Sequence, residues 1–507
     1  MFKRALVTCA IFIYSIESSR ILAVFPTPSI SHQFAFRPLT QALARRGHEV
    51  VVVTPDPAFP KGKTPTNLTE IDVHDISYET WQEMFTSHTG DSKDILKNIV
   101  LMFKLITHTF EKQLQTEEFQ KLIKEESDKF DIVLVEAWVR TAIGLGHVFK
   151  TPLILCSSFG TVSSQYEYYG APSHPFIYPS AGRVRVYNLT LWEKLKELFN
   201  YVYLEWIIST TEEYDYQMMQ RNFGEDLPSI LDLLKYVKML FLNEHHIWAD
   251  NHPVPPNILY IGGIHHRPEK ELHQNGVIYF SFGTNIIPNL LPREKIQIMA
   301  EVLSSLPYDV LWKWDEDEVP ITAKNIKFSK WFPQSDVLRH PNVKLFITQG
   351  GLQSTDEALS AGVPMIGMPM LGDQWYNVEK YVLFKFGMQL DIMTLTEEQL
   401  RSAVVTVIEN RSFKENALKM RNLMREHPVN PLDLAIWWIE HVIQHGGDHL
   451  KPPTAGGISA FEYYEVPLVL TLVVVLVLTI SFVIFLLITV CRFVKRRLRS
   501  DSKFKQQ

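Results

Sequence analysis

The sequence predicts an α/β fold built in two halves and followed by a C-terminal membrane span, and three observations predict it. Arg20 to Pro26 holds an unbroken apolar run, Gln33 to Arg46 has helical spacing and stops at Gly47, and Glu49 to Thr54 is a second apolar run. That is a strand–helix–strand opening, the unit of a parallel sheet. A later stretch repeats the scheme: a strand Val343 to Thr348, the pair Gly350–Gly351, a helical run Leu352 to Ala361, and a strand Val363 to Met368. Lastly, Val466 to Val490 is 25 residues without a charge, roughly 37 Å of helix at about 1.5 Å per residue.

Length and composition set the outer limits. A chain of 507 residues implies two domains or more with ample buried core. Fifty basic against 56 acidic residues leave a net charge of −6, and nothing there points to nucleic acid. An aromatic content of 12% suits an apolar cleft and equally suits a large core. Cys9 lies in the leader and Cys491 at the end of the span, so the soluble part carries Cys156 alone and has no internal disulfide.

In chain order, residues 1–19 read as a signal peptide: Lys3 and Arg4, an apolar stretch from Ala5 to Ile16, then Ser18–Ser19. An uncleaved anchor is the alternative, and the short apolar run argues against it. The first strand leads into a loop, Thr27 to His32, with no GxGxxG, which argues against a dinucleotide oxidoreductase. His32 stands where open α/β sheets hold their ligands, and an imidazole there can take a proton from a hydroxyl at neutral pH. Its bland alternative is a helix cap or a surface residue. The buried strand of Phe130 to Ala137 ends in Glu136, which reads either as the carboxylate that orients a base or as an acid facing water.

Asp94 to Lys124 and Leu191 to Arg221 are helical by periodicity. The second, with Trp192, Phe199, Tyr201, Tyr203 and Trp206, reads as acceptor pocket, membrane-facing surface or ordinary core. His245 to His273 is a linker rich in proline and histidine, without the tight spacing a metal needs, so no metal is expected. Gly276 to Phe282 opens the second half as a strand ending in Ser281-Phe282-Gly283-Thr284. Helix Pro292 to Leu306 and strand Asp309 to Trp314 follow. Asp315-Glu316-Asp317 contains a DxD, read as a solvated acidic loop. Helices follow near Thr396 to Glu409, Ser412 to Glu426 and Pro431 to His445, the last carrying Trp437–Trp438.

The stretch Trp331 to Gln374 carries the chemistry. A strand that stops at Gly350–Gly351 and opens a helix leaves backbone N–H groups free at the positive end of the helix dipole, an anion site that suits a diphosphate. An aromatic ring upstream can stack a base, Glu357 can accept from ribose hydroxyls, and Asp373–Gln374 can hold sugar hydroxyls. One segment can thus bind a nucleotide-sugar end to end.

This segment closely resembles the signature of the UDP-glycosyltransferases, and Arg20 to the C-terminus is similar to their membrane-bound animal members, the insect ones above all. The resemblance implies the GT-B fold, two facing Rossmann-like domains. It implies His32 as catalytic base with Glu136 in the place of the family's Asp. It implies donor contacts at Ser281, Gly283, Trp331 (uracil), Gln334, Gln349, Gly350, Gly351, Gln353, Ser354, Glu357 (ribose), Asp373 and Gln374 (sugar), with no cofactor beyond the UDP-sugar co-substrate. Three departures stand out: Glu136 for Asp, Gln349 where His contacts the diphosphate, and Gln353 where Asn is common in vertebrate members. Gln349 can donate a hydrogen bond but carries no charge.

The expected organisation is therefore a signal peptide (1–19), an acceptor domain (20–245), a linker (246–275), a UDP-sugar domain (276–445), a juxtamembrane segment (446–465), the span (466–490) and a cytoplasmic tail (491–507). Arg492, Lys495, Arg496, Arg497 and Arg499 place the tail in the cytoplasm by the positive-inside rule, and Lys503-Phe504-Lys505-Gln506-Gln507 resembles a KxKxx retrieval signal. The endoplasmic reticulum membrane follows, single-pass with lumenal catalytic domains, and the sequons at Asn67, Asn188 and Asn410 agree with it. The expected activity is inverting transfer of a hexose, with glucose favoured over glucuronate, to a hydroxyl of a small lipophilic acceptor in detoxification or metabolite conjugation. The alternative is a degenerate membrane-anchored protein that binds lipophiles without turnover. Homo- or hetero-oligomer formation is left open.

Overall fold

The computed structural model describes residues 18–87, 95–161, 163–178, 187–264, 276–284, 291–451 and 460–504. The first half runs β1 (Arg20–Val24), α1 (Ile30–Arg45), β2 (Glu49–Thr54), β3 (Leu68–Asp72), α2 (His74–Ser87), α3 (Ile95–Leu114), α4 (Glu117–Glu125), β4 (Ile132–Glu136), α5 (Gly144–Phe149), β5 (Leu153–Ser157), α6 (Ser163–Tyr168), α7 (Leu191–Phe223), α8 (Ile230–Leu233), β6 (Val237–Leu242) and β7 (Ile258–Tyr260). The second runs β8 (Val277–Ser281), α9 (Arg293–Ser304), β9 (Asp309–Lys313), β10 (Ile326–Ser329), α10 (Gln334–Leu338), β11 (Val343–Thr348), α11 (Leu352–Ser360), β12 (Met365–Gly367), α12 (Gln374–Leu383), β13 (Gly387–Gln389), α13 (Glu397–Glu409) and α14 (Arg411–Arg425). Then come α15 (Pro431–His445), α16 (Ala460–Tyr463) and α17 (Val466–Phe504).

The strands form two sheets, ordered β3-β2-β1-β4-β5-β6-β7 and β10-β9-β8-β11-β12-β13. Counted from its own first strand, each sheet begins 3-2-1-4-5-6, the dinucleotide-fold order. The pairings are parallel, as in β1 with β4 and β8 with β11. Both faces of each sheet are covered, which explains the continuous apolar strands. Leu22 and Val24 enter one core while Ile21 and Ala23 enter the other. In the second sheet Ile278 and Phe280 face one core and Tyr279 the other.

Two crossings lock the halves together. The stretch after β6 enters the second half, where Trp248 is wholly buried beside Tyr279, Phe346 and Val378. In return, α15 leaves the second half and lies on α1, with Ala435, Ile436, Ile439 and Val442 packed among Ile21, Leu39, Leu43 and Ile132. Burying each of its larger apolar side chains is worth about 2 kcal/mol. Glu440 of α15 also accepts from Arg46 Nε at 2.9 Å and faces His48 Nε2 at 3.3 Å.

Several expectations shift. The helix after β1 begins at Ile30, so His32 lies in its first turn and not in a loop. Ser29, in extended conformation, stands at the N-cap position, with its hydroxyl 2.9 Å from that of Ser31. The run 94–124 divides into α3 and α4, because Gln115 and Thr116 turn between them and Thr116 is the N-cap of α4. The stretch read as a linker, 246–275, contributes β7 to the first sheet and Trp248 to the second core. Trp192, Phe199 and Trp206 on α7 are 75%, 65% and 59% exposed, so they form neither core nor the wall of a closed pocket. The helix that holds the predicted span continues to Phe504, and its stretch Val466–Arg492 is long and apolar enough to cross a membrane. Asp315 pairs with Lys313 at 2.6 Å and Asp317 with Lys330 at 2.6 Å, in keeping with a solvated acidic loop. Cys156 is buried and free. Asn67, Asn188 and Asn410 are exposed, and Asn410 accepts from Ser412 N–H at 3.1 Å to cap α14. Most of the leader (1–17), part of the histidine stretch (265–275) and the final residues of the tail (505–507) lie outside the described residues.

Candidate active site

In each sheet the strand order reverses between the first and fourth strands, and ligands of open α/β sheets sit outside such a point. In the first sheet that point lies between β1 and β4. There His32 Nδ1 and Glu136 Oε1 are 2.5 Å apart, and the second carboxyl oxygen accepts the Thr27 N–H at 3.1 Å. Glu136 is fully buried, whereas the His32 side chain is 18% exposed. A carboxylate can only accept, so Nδ1 carries the proton, and in the neutral imidazole Nε2 keeps its lone pair. The loop beneath is held by buried amides: Gln33 donates to the carbonyls of Phe25 (2.9 Å) and Thr27 (3.2 Å), and Gln113 to that of Pro26 (2.7 Å). Phe159 meets His32 edge-on at 5.7 Å and stacks on Trp138 at 4.7 Å, giving the imidazole an apolar wall.

In the second sheet the reversal lies between β8 and β11. Ser281 accepts the Gly283 N–H at 3.2 Å, and Gly283 adopts φ +74°. The Gln349 amide lies over it: a Cβ on Gly283 would stand 2.5 Å from Gln349 Nε2. Gln349 is buried and its Oε1 has no hydrogen-bond partner. Gly350 has φ +92°, and a Cβ there would meet Val378 Cγ2 at 2.3 Å, so the turn requires glycine on two counts. Gly351 caps α11 in extended conformation. Gln334 Nε2 donates to Glu357 Oε2 (2.8 Å) and Ser354 Oγ (3.0 Å), while its Oε1 accepts from Tyr279 at 3.3 Å. Trp331 stands 53% exposed upstream.

Asp373 and Gln374 begin α12. Gln374 Oε1 accepts the N–H groups of Met370 (2.7 Å) and Leu371 (2.8 Å), which tightens the turn after β12. Burial pushes the Asp373 carboxyl up, countered by hydrogen bonds from Asn377, its own N–H and Leu352 N–H, and by the nearby His32. The two halves therefore meet at this point. Gln353 on α11 also donates to the carbonyl of Ser31, beside His32.

The predicted residues thus fall into two groups, His32 with Glu136 in the first half and the Ser281–Gln374 set in the second, which meet where Gln353 reaches the Ser31 carbonyl. Sequence reading does not single out four contributors. Phe159 and Trp138 follow strand ends in the first half. Trp248 and Asn377 form a buried hydrogen bond of 2.8 Å behind the second. Lone aromatics and an amide inside a helix carry no motif. The only available signal was their position just past strands or beside Asp373.

Comparison with known proteins agrees with this architecture. A family described as "UDP-glucoronosyl and UDP-glucosyl transferase" matches residues 20–504. The chain is 34% identical over 491 residues to an ecdysteroid UDP-glucosyltransferase of Spodoptera littoralis nuclear polyhedrosis virus, covering 90% of this chain and 94% of that one. It is 30% identical over 511 residues to UDP-glucosyltransferase 2 of the insect Dactylopius coccus, covering 96% and 95%. In fold it is similar to the glycotransferase of kitacinnamycin, with TM-score 0.60 and 19% identity over 84% of this chain and 99% of that one. The calicheamicin glycosyltransferase CalG4 gives TM-score 0.58 and 15% identity over 85% and 99%. These neighbours share the GT-B fold of two facing parallel sheets. The chain belongs to the UDP-glucuronosyl and UDP-glucosyl transferase family and is a hexosyltransferase that draws on a UDP-sugar.

Proposed function

We propose that this protein transfers glucose from UDP-glucose, with inversion, to a hydroxyl of a small lipophilic acceptor, and that His32 is the base. The observation that carries the reading is the 2.5 Å contact of His32 Nδ1 with buried Glu136, which leaves Nε2 as the acceptor in the cleft. Nε2 takes the proton of the acceptor hydroxyl, and the oxygen attacks the anomeric carbon in line. Glu136 fixes the tautomer and stabilises the imidazolium that forms. The bond from the anomeric carbon to the diphosphate oxygen breaks, and the leaving charge is met by the Gly350–Gly351 terminus of α11 and the Gln349 amide. Trp331 stacks the uracil, Gln334 and Ser354 lie beside the nucleoside, Glu357 accepts from ribose, and Asp373 with Gln374 holds the sugar. The diphosphate is neutralised by helix dipole and amides, so no metal is required.

Glucose is preferred because, among the described residues, the groups hydrogen-bonded to the Asp373 and Gln374 side chains are a neutral amide and backbone N–H groups. The lysine of α12, Lys380, is fully buried and bound to Tyr376 at 2.9 Å and Asp250 at 3.2 Å. The names of the viral and insect relatives agree with a glucosyl donor. The Phe159–Trp138 wall beside His32 favours a lipophilic alcohol or phenol, as in conjugation or detoxification. The span, the basic residues after it and the KxKxx-like end favour the endoplasmic reticulum membrane with lumenal domains, where the sequons would be glycosylated. The test is a product analysis on membranes holding the full chain. With UDP-glucose and a phenol, the product is a β-glucoside by its anomeric proton coupling, and UDP-glucuronate is the poorer donor. An α-glucoside, or preference for UDP-glucuronate, would contradict the reading.

A further inference from the structure

Behind the donor residues runs a buried chain of hydrogen bonds that none of the assigned roles uses. Asn377, on α12 and buried, donates from Nδ2 to the Asp373 carboxylate at 2.7 Å and to the Gly350 carbonyl at 2.9 Å. Its Oδ1 accepts the indole N–H of Trp248 at 2.8 Å. An indole N–H can only donate, so it fixes which way the amide points. The Trp248 carbonyl accepts from Lys380 Nζ and lies 3.2 Å from the Tyr376 hydroxyl oxygen. The Tyr376 hydroxyl donates to Asp250 at 2.8 Å, and Lys380 Nζ lies 3.2 Å from the same carboxylate. Trp248 and Asp250 come from the stretch after β6, outside the second sheet.

We propose that Asn377, oriented by Trp248, is a positioning residue for both ends of the donor: through Asp373 for the sugar and through the Gly350–Gly351 peptide for the diphosphate. The inference rests on the donor-site reading above. In a trans peptide the carbonyl and the following N–H point in opposite directions. Holding the Gly350 carbonyl on Asn377 therefore aims the Gly351 N–H the other way, out of the α11 terminus. Holding one Asp373 oxygen on the same amide fixes the orientation of the carboxylate that would meet a sugar hydroxyl. Asp373 also takes the Leu352 N–H, so sugar motif and anion site form one rigid unit. Because the indole belongs to the segment that leaves the first sheet, the relation of the two halves sets the geometry of the donor site.

The test uses the full-length chain in detergent, with binding of UDP and of UDP-glucose, donor and acceptor KM, and thermal melting measured together. In Asn377→Ala, UDP Kd and UDP-glucose KM both rise about tenfold while acceptor KM stays level. In Trp248→Phe, which keeps an aromatic ring and removes the N–H, the same two constants rise by a smaller factor. In Asn377→Ser, which retains a donor, donor binding recovers part of the loss. A folded Asn377→Ala with both donor constants within about twofold of wild type would overturn the inference. So would a loss confined to melting temperature. If Asn377→Ala does not fold, Trp248→Phe and Asn377→Ser decide by the same constants. A wild-type chain that binds neither UDP nor UDP-glucose would overturn the donor-site reading and this inference with it.

Discussion

At the first reversal of strand order the group facing the cleft is a side chain; at the second it is the main chain. Both sit where a helix begins after a strand, and both sheets have the same topology. The first uses His32 on α1, propped by a carboxylate from the neighbouring strand β4. The second uses a glycine turn before α11, in which the φ of +92° at Gly350 requires glycine. The difference is one of support. The proposed base is oriented by a residue 104 positions away, whereas the proposed backbone anion site is written in consecutive residues. Breaking the first should abolish chemistry and spare donor binding. Breaking the second should weaken the donor and leave the base intact.

The largest effect belongs to His32→Ala. Loss of the base lowers kcat by about a thousandfold, with UDP-glucose binding near wild type. Next is Glu136→Gln. The amide can present its N–H to Nδ1, favouring the wrong tautomer, and kcat falls about a hundredfold with donor KM little changed. Steady-state kinetics beside a UDP-glucose binding measurement checks both.

Gly283→Ala acts on the other switch point. Its Cβ would displace the Gln349 amide and strain a left-handed turn. Donor KM rises about tenfold while kcat at saturating donor changes less. If kcat falls as steeply as in His32→Ala, the division of labour between the two points is wrong.

The smallest effect is on stability. Asp356, buried on α11 with Oδ1 unpartnered, is pushed up from 3.8 to about 8 by burial and by the Glu244 and Glu357 charges. A carboxyl raised in the folded state favours folding while protonated, and that contribution is lost as pH rises toward about 8. Asp356→Asn therefore matches wild type near pH 4 and melts a few degrees higher by about pH 8. Burial lowers the Lys380 ammonium, which has the opposite slope at alkaline pH, so the comparison belongs below about pH 8. Melting curves across that range check it. A constant gap would show that charge at Asp356 is not the cause.

How much of this was legible follows from the same contrast. The strand–Gly-Gly–helix–strand segment could be read because each residue serves its neighbours. His32 could be placed at the mouth of the sheet, but not in a helix, since Ser29 and Ser31 read as loop and α1 starts at Ile30 without a side-chain cap. The Glu136 carboxylate was visible as a strand end, and its reach to His32 depended on β1 and β4 being adjacent. The Trp248–Asn377 bond spans 129 positions and has no sequence pattern. The α7 aromatics left several readings open for a related reason. Helical periodicity gives a face and does not say what lies against it.

The central claim is that His32 does chemistry while the opposite half holds the donor. Acceptor-dependent UDP release from microsomes carrying the full chain tests it most directly, with UDP-glucose, a panel of phenols and EDTA present, beside His32→Ala. The account predicts release by wild type, loss in His32→Ala, and equal UDP-glucose binding by both. Undiminished release by His32→Ala, or loss of UDP-glucose binding along with it, would contradict the account.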